Sequence, residues 1–123
     1  MTTPNLNILG VEDALVSAAF YEKIIGHAPM EAAQTFSIFD LGNGFALGLW
    51  GKKSAEYGLE GSGTHSELCF AVKDEASVKS KLAEWKQAGI TIAEEFNLAG
   101  FGPTFVGLDP DGHRLRVYVR PQH

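Results

Sequence analysis

Val11-Glu12-Asp13-Ala14-Leu15-Val16, near the start of the chain, is answered by Val72-Lys73-Asp74-Glu75-Ala76-Ser77 in its second half. The first stretch opens a helical pattern that ends at Gly26, and the second opens one that ends at Gly89. Strand-like runs follow in both halves, and each half closes on a hairpin. The first hairpin turns at Asn43-Gly44 and continues as Phe45-Ala46-Leu47-Gly48-Leu49-Trp50. The second turns at Asp109-Pro110-Asp111-Gly112 and continues as His113-Arg114-Leu115-Arg116-Val117-Tyr118. A repeat of this length means two copies of one supersecondary unit, each too small to bury its own apolar face.

Working outward from these anchors, Leu6 to Val11 reads as a strand. Val16, Ala19, Phe20 and Ile24 then fall at helical spacing, with Asp13 as N-cap and Gly26 just past the helix end. Thr35 to Asp40 and Phe45 to Trp50 read as strands joined by Asn43-Gly44, a strong hairpin signal. Residues 51–64 read as a Gly-rich linker. Ser66 to Val72 is the next strand. Val78, Leu82 and Trp85 mark the buried stripe of a second helix, capped by Asp74 and stopped at Gly89. Ile90 to Phe96, Thr104 to Leu108 and Arg114 to Arg120 read as strands, with a Gly/Pro-rich loop over 97–103. Each half is therefore β-α-β-β-β, in repeat units of about 5–50 and 65–120.

At 123 residues, the chain is expected to be one domain with a proper core. A net charge of −5, with Lys and Arg unclustered, argues against a nucleic-acid surface. No apolar run approaches membrane-spanning length, and the first residues lack the regions of a signal peptide, so a cytoplasmic setting is expected. Cys69 is the only cysteine and lies in the apolar run Leu68-Cys69-Phe70-Ala71-Val72, which reads as a buried, reduced thiol.

The paired βαβββ units, Phe20-Tyr21-Glu22-Lys23-Ile24-Ile25-Gly26 in the first helix and Leu108-Asp109-Pro110-Asp111-Gly112-His113 in the last hairpin resemble the vicinal oxygen chelate superfamily. That group includes glyoxalase I, extradiol dioxygenases and the bleomycin and fosfomycin resistance proteins. The resemblance spans essentially the whole chain. It implies an α+β fold in which paired βαβββ units form a cup-shaped mixed sheet. In metal enzymes of the group, ligands come from the first and last strands of each half. The matching positions here are Leu6, Gly48, Glu67 and Arg116. Leu and Gly offer no side-chain ligand, and Arg does not deprotonate to become one. The resemblance thus implies no metal and no cofactor, and it makes Glu67 and Arg116 neighbours. Two readings of that pair stand side by side: a structural ion pair and a ligand-facing pair.

Strand alternation extends the lining. If Gly48 faces the cup, so do Ala46 and Trp50; if Arg116 does, so do Arg114 and Tyr118. Ile8 joins Leu6, and Cys69 joins Glu67. Leu47, Leu49, Leu115, Val117 and Val119 fall on the opposite, apolar side, which suits packing under the helices. The cup set is aromatic and apolar with a small charged cluster, the composition of a pocket for a flat organic molecule. Trp50 and Tyr118 hold equivalent places in the repeat; packing in a core or a dimer interface is the plainer role for Trp50. His27, His65, His113 and His123 do not form a ligand set. A His65–Glu67 metal site would lack a third ligand.

Within the superfamily the chain looks most like the phenazine-antibiotic resistance proteins, which bind a planar drug without metal or chemistry. The function expected is therefore metal-free binding of a small planar aromatic compound, with resistance by sequestration, in a homodimer that contacts neither nucleic acid nor membrane. The ligand-binding residues expected are Trp50, Glu67, Arg116, Tyr118, Leu6, Ile8, Gly48 and Cys69. The alternative is a glyoxalase- or dioxygenase-like enzyme, a lyase or isomerase, of the same superfamily. A third reading is an interaction module with no small ligand.

Overall fold

The computed structural model describes residues 4–55, 57 and 66–119. The chain divides into two compact units, Met1–Gly63 and Thr64–His123. The first contains β1 (Leu6–Val11), α1 (Ala14–Ile25), β2 (Glu31–Ala32), β3 (Phe36–Gly42) and β4 (Phe45–Gly51), with strand order β1-β4-β3-β2. The second contains β5 (Glu67–Val72), α2 (Glu75–Gln87), β6 (Thr91–Ala99), β7 (Gly102–Leu108) and β8 (Arg114–Val119), with order β5-β8-β7-β6. In each sheet the first strand runs parallel to the last, and the other pairs are antiparallel. The two halves thus share one topology, and the class is α+β. None of the described helices is long and apolar enough to cross a membrane.

Local chemistry sets the element ends. Asp13 accepts from the backbone N–H of Leu15 and Val16, satisfying donors that the first turn of α1 leaves unpaired. Gly26 ends that helix at φ +91°, a conformation that costs an L side chain dearly. Asp74 caps α2 in the same manner through the Ser77 N–H at 2.8 Å. The second hairpin is organised by the Asp109 carboxylate, which accepts from the N–H groups of Asp111 and His113.

The core of each unit lies between its helix and one sheet face. In the second unit Val78, Leu82 and Trp85 are all buried, as their spacing predicts. The Trp85 ring stands edge-on to Phe105 at 5.1 Å and to Phe70 at 5.9 Å. Leu115 and Val117 complete this layer, as do Leu47, Leu49 and Phe39 in the first unit.

Several expectations require correction. The inward face of α1 is Ala14, Ser17, Ala18 and Tyr21, whereas Val16 is 58% exposed and Ala19 is exposed. Small residues let the helix lie close to β3, where the Ser37 hydroxyl donates to the Ala14 carbonyl at 3.0 Å. A two-residue strand, β2, adds a fourth member to the first sheet by pairing with Ser37 and Ile38. The stretch over 97–103 is a continuation of the β6–β7 ladder, with Leu98 opposite Pro103 and Ala99 opposite Gly102. Pro103 is tolerated because the registered β7–β8 pairing begins at Thr104, leaving no ladder donor to lose. Cys69 is exposed, because alternation along β5 turns its thiol away from the helix. Of the linker expected over 51–64, Gly51 closes β4, and residues 56 and 58–64 lie outside the described residues.

Candidate functional site

The face of each sheet away from its helix carries the residues of interest. In the first unit, register places Leu6 opposite Ala46, Ile8 opposite Gly48 and Gly10 opposite Trp50. On the other side of β4, Ile38 faces Gly48 and Phe36 faces Trp50. Leu6, Ile8, Gly48 and Trp50 therefore share one face. Gly48 itself is covered: a Cβ there would lie 3.1 Å from Phe36 Cζ and 3.2 Å from Ile8 Cγ1. Trp50 is half-buried, and Tyr57 stands edge-on to it with ring centroids 5.5 Å apart and planes at 61°. Gly10 permits this arrangement, since a side chain there would collide with the Tyr57 hydroxyl. The result is an apolar, aromatic surface built from Ile8, Phe36, Trp50 and Tyr57.

In the second unit the equivalent face is charged. Glu67 and Cys69 on β5 lie opposite Arg114 and Arg116 on β8, and Tyr118 continues the row opposite Ala71. Arg116 donates from Nε to Glu67 Oε1 at 2.8 Å and from Nη2 to Oε2 at 3.1 Å. Arg114 donates from Nε to Glu67 Oε2 at 2.8 Å and from Nη2 to Glu94 Oε2 at 2.7 Å. Arg116 Nη1 also donates to the hydroxyl of Thr104 at 3.0 Å. That hydroxyl is buried, and it donates onward to the Val117 carbonyl at 2.7 Å. The Arg116 guanidinium lies over the Phe101 ring, 5.5 Å from its centroid.

The electrostatics follow from this geometry. The Arg116 guanidinium, helped by Arg114 and opposed by partial burial, holds the Glu67 carboxyl below its usual range. Desolvation and then the charge of Glu67 push the Cys69 thiol up, with Arg116 opposing. Cys69 is thus a poor nucleophile at neutral pH.

The residues at the family's metal positions do not fit a metal ion. Leu6 has no donor atom, Gly48 is covered by Phe36 and Ile8, and both oxygens of Glu67 accept from arginines. Among the described residues no group of three His, Cys, Asp or Glu side chains is placed to hold a metal. His27 is exposed, and its Nδ1 lies 3.1 Å from the Ala28 carbonyl oxygen. His113 sits in the last turn, and His65 and His123 lie outside the described residues.

Arg114, Glu94, Thr104, Phe101, Phe36 and Tyr57 belong to these two faces, and of these only Arg114 follows from strand alternation. Phe36 is implied by the hairpin register about Asn43-Gly44. Thr104 and Glu94 require the β6–β7 register, which shifts between Ile92 and Glu94 and again between Glu94 and Asn97. Nothing in the sequence marks Tyr57 or Phe101.

A pair of four-stranded sheets in 1-4-3-2 order, each backed by one helix, is the fold of the glyoxalase/bleomycin resistance/dioxygenase proteins. Two solved structures share it at low identity. One is a glyoxalase-related enzyme from Fulvimarina pelagi, 23% identical over 96% of this chain and 88% of that one, with a TM-score of 0.77. The other is a glyoxalase/bleomycin resistance protein/dioxygenase family enzyme from Burkholderia phytofirmans, 21% identical over 94% and 98%, with a TM-score of 0.76. The chain belongs to the same family as protein ATC0852 of Agrobacterium tumefaciens, whose structure was determined in solution by NMR. It is 39% identical to that protein over 99% of this chain and 100% of the other, with a TM-score of 0.85. No family model and no curated protein matches the chain.

Proposed function

We propose that this chain binds a small planar aromatic compound without a metal and holds it without converting it, as in drug resistance by sequestration. The observation that carries this reading is the occupation of Glu67 by Arg116. The one carboxylate at a metal position is taken by a guanidinium that does not leave by deprotonation. The Trp50–Tyr57 pair supports it, because a half-buried indole on an apolar face is a stacking surface for a flat ring. In this reading Trp50 stacks on the ligand, while Leu6, Ile8 and Gly48 form the apolar floor. Glu67, Cys69, Arg116 and Tyr118 supply the polar contacts. The protein acts as a homodimer in the cytoplasm, where Cys69 stays reduced.

A calorimetric titration against a panel of phenazines, with product analysis by mass spectrometry, tests the reading. Saturable binding with the compound recovered unchanged is the expected result. Turnover of a panel member would move the protein to the alternative, a glyoxalase- or dioxygenase-like enzyme. No binding across the panel would leave the interaction-module reading.

A further inference from the structure

The charged face of the second unit holds more donors than acceptors. Five hydrogen bonds engage Arg114 and Arg116 among the described residues, half of the N–H groups that two guanidiniums carry. Glu67 Oε2 already accepts two of these bonds and Oε1 one. Arg116 is largely enclosed, its side chain 16% exposed, with Nε and Nη2 committed to Glu67 and Nη1 to Thr104. Arg114 is more open, at 38%, and uses only Nε and Nη2. The two arginines therefore differ in kind. Arg116 is a fixed part of the wall, and Arg114 has N–H groups left for an oxygen that arrives from outside.

Beside this donor-rich patch sits an exposed aromatic ring. Phe101 occupies the β6–β7 turn between Gly100 and Gly102 and is 54% exposed. It rests against the Arg116 guanidinium. A large apolar side chain kept in solvent next to a rigid cation is unusual unless something covers it.

We infer that Arg114 and Phe101 form an oxygen-acceptor subsite. The chain thereby selects planar aromatics bearing a carbonyl or carboxylate oxygen, with the ring against Phe101 and the oxygen on the free N–H groups of Arg114. Glu94 is the positioning residue, holding Arg114 at 2.7 Å. The inference rests on the aromatic-binding reading above and adds the ligand's chemical class to it. Neither Arg114 as oxygen donor nor Phe101 as contact is needed for stacking on Trp50.

The test is isothermal titration of the full chain with 2-ethylnaphthalene, 2-acetylnaphthalene and 2-naphthoate, which share a ring system and differ in the oxygen. The two oxygen-bearing probes are expected to bind the unaltered protein roughly tenfold or more tightly than the hydrocarbon, the value of one hydrogen bond to a charged group. Arg114→Met is expected to abolish that preference while leaving hydrocarbon affinity in place. Phe101→Ala, at an exposed turn, is expected to weaken all three without lowering the melting temperature. It carries the test if Arg114→Met does not fold. Equal affinity for hydrocarbon and oxygen-bearing probes, or a preference that survives Arg114→Met, overturns the inference and leaves the aromatic-binding reading standing. Unchanged affinities in Phe101→Ala also overturn it. No binding by any probe overturns both.

Discussion

Arg116 and Glu67 are joined along two edges, Nε to Oε1 at 2.8 Å and Nη2 to Oε2 at 3.1 Å, across one face of the second sheet. The pair is anchored behind by the buried Thr104 hydroxyl and shared in front with Arg114. Bidentate geometry and a fixed anchor separate it from an ordinary surface ion pair. With side chains 16% and 25% exposed, solvent screens it only in part. A double-mutant cycle with Arg116→Met and Glu67→Gln, read by urea unfolding, is expected to give a coupling of roughly 1–2 kcal/mol. A coupling near zero would make the pair incidental to stability.

The depressed Glu67 carboxyl gives a pH dependence of known sign. Its folded value lies below its unfolded one, chiefly through Arg116, so the stabilisation is complete above the ordinary carboxylate range. It is lost as pH falls through the lowered folded value, with the decline beginning below about pH 4. Melting temperatures of the unaltered protein and of Glu67→Gln should therefore converge on acidification. Curves that stay parallel from neutral pH into the acid range would contradict the assignment.

Trp85 and Gly107 form a close contact in the second core. A Cβ at position 107 would lie 2.8 Å from Trp85 Cε3 and 2.9 Å from Cζ3, and Ile90 closes the third side. Gly107→Ala is expected to cost roughly 1–3 kcal/mol of stability, because the indole is wedged between Phe70 and Phe105. Thermal unfolding checks this. A neutral substitution would mean that the indole moves aside freely.

The repeat, both helix caps, both hairpins and nearly every strand were legible because each rests on local chemistry: Asp13 and Asp74 as caps, Gly26 as stop, Asn43-Gly44 as turn. The α1 stripe was misread because Val16 and Ala19 share the 3.6-residue period with the true inner face. Small residues facing a sheet, Ala14, Ser17 and Ala18, leave no strong hydrophobic signal. The Glu67–Arg116 contact was legible through the family resemblance. The part played by Glu94 and Phe101 was not, since it depends on a ladder with two register shifts and on a turn with no sequence signature.

Self-association has a simple expectation. A homodimer would sediment as a species of about 27 kDa at micromolar concentration, and light scattering distinguishes it from the 13.3 kDa chain. Exposed Leu15, Val16 and Met30 in the first unit, with Leu98 and Phe101 in the second, are the large apolar side chains available to such a contact. A monomer at all concentrations would contradict the dimer.

The central claim is that Trp50 is a ligand surface and Trp85 a core residue. Trp85 is 4% exposed and enclosed by two rings, whereas Trp50 is half-buried beside Tyr57. Trp85→Ala is expected to cost roughly 3–5 kcal/mol of stability. The most direct measurement is the affinity of the unaltered protein and of Trp50→Ala for a phenazine by calorimetry, with a melting curve on each. The expected result is a nearly unchanged melting temperature and roughly tenfold or greater loss of affinity in Trp50→Ala, as stacking and the pocket wall disappear together. Unfolding of Trp50→Ala, or affinity equal to that of the unaltered protein, would contradict the account.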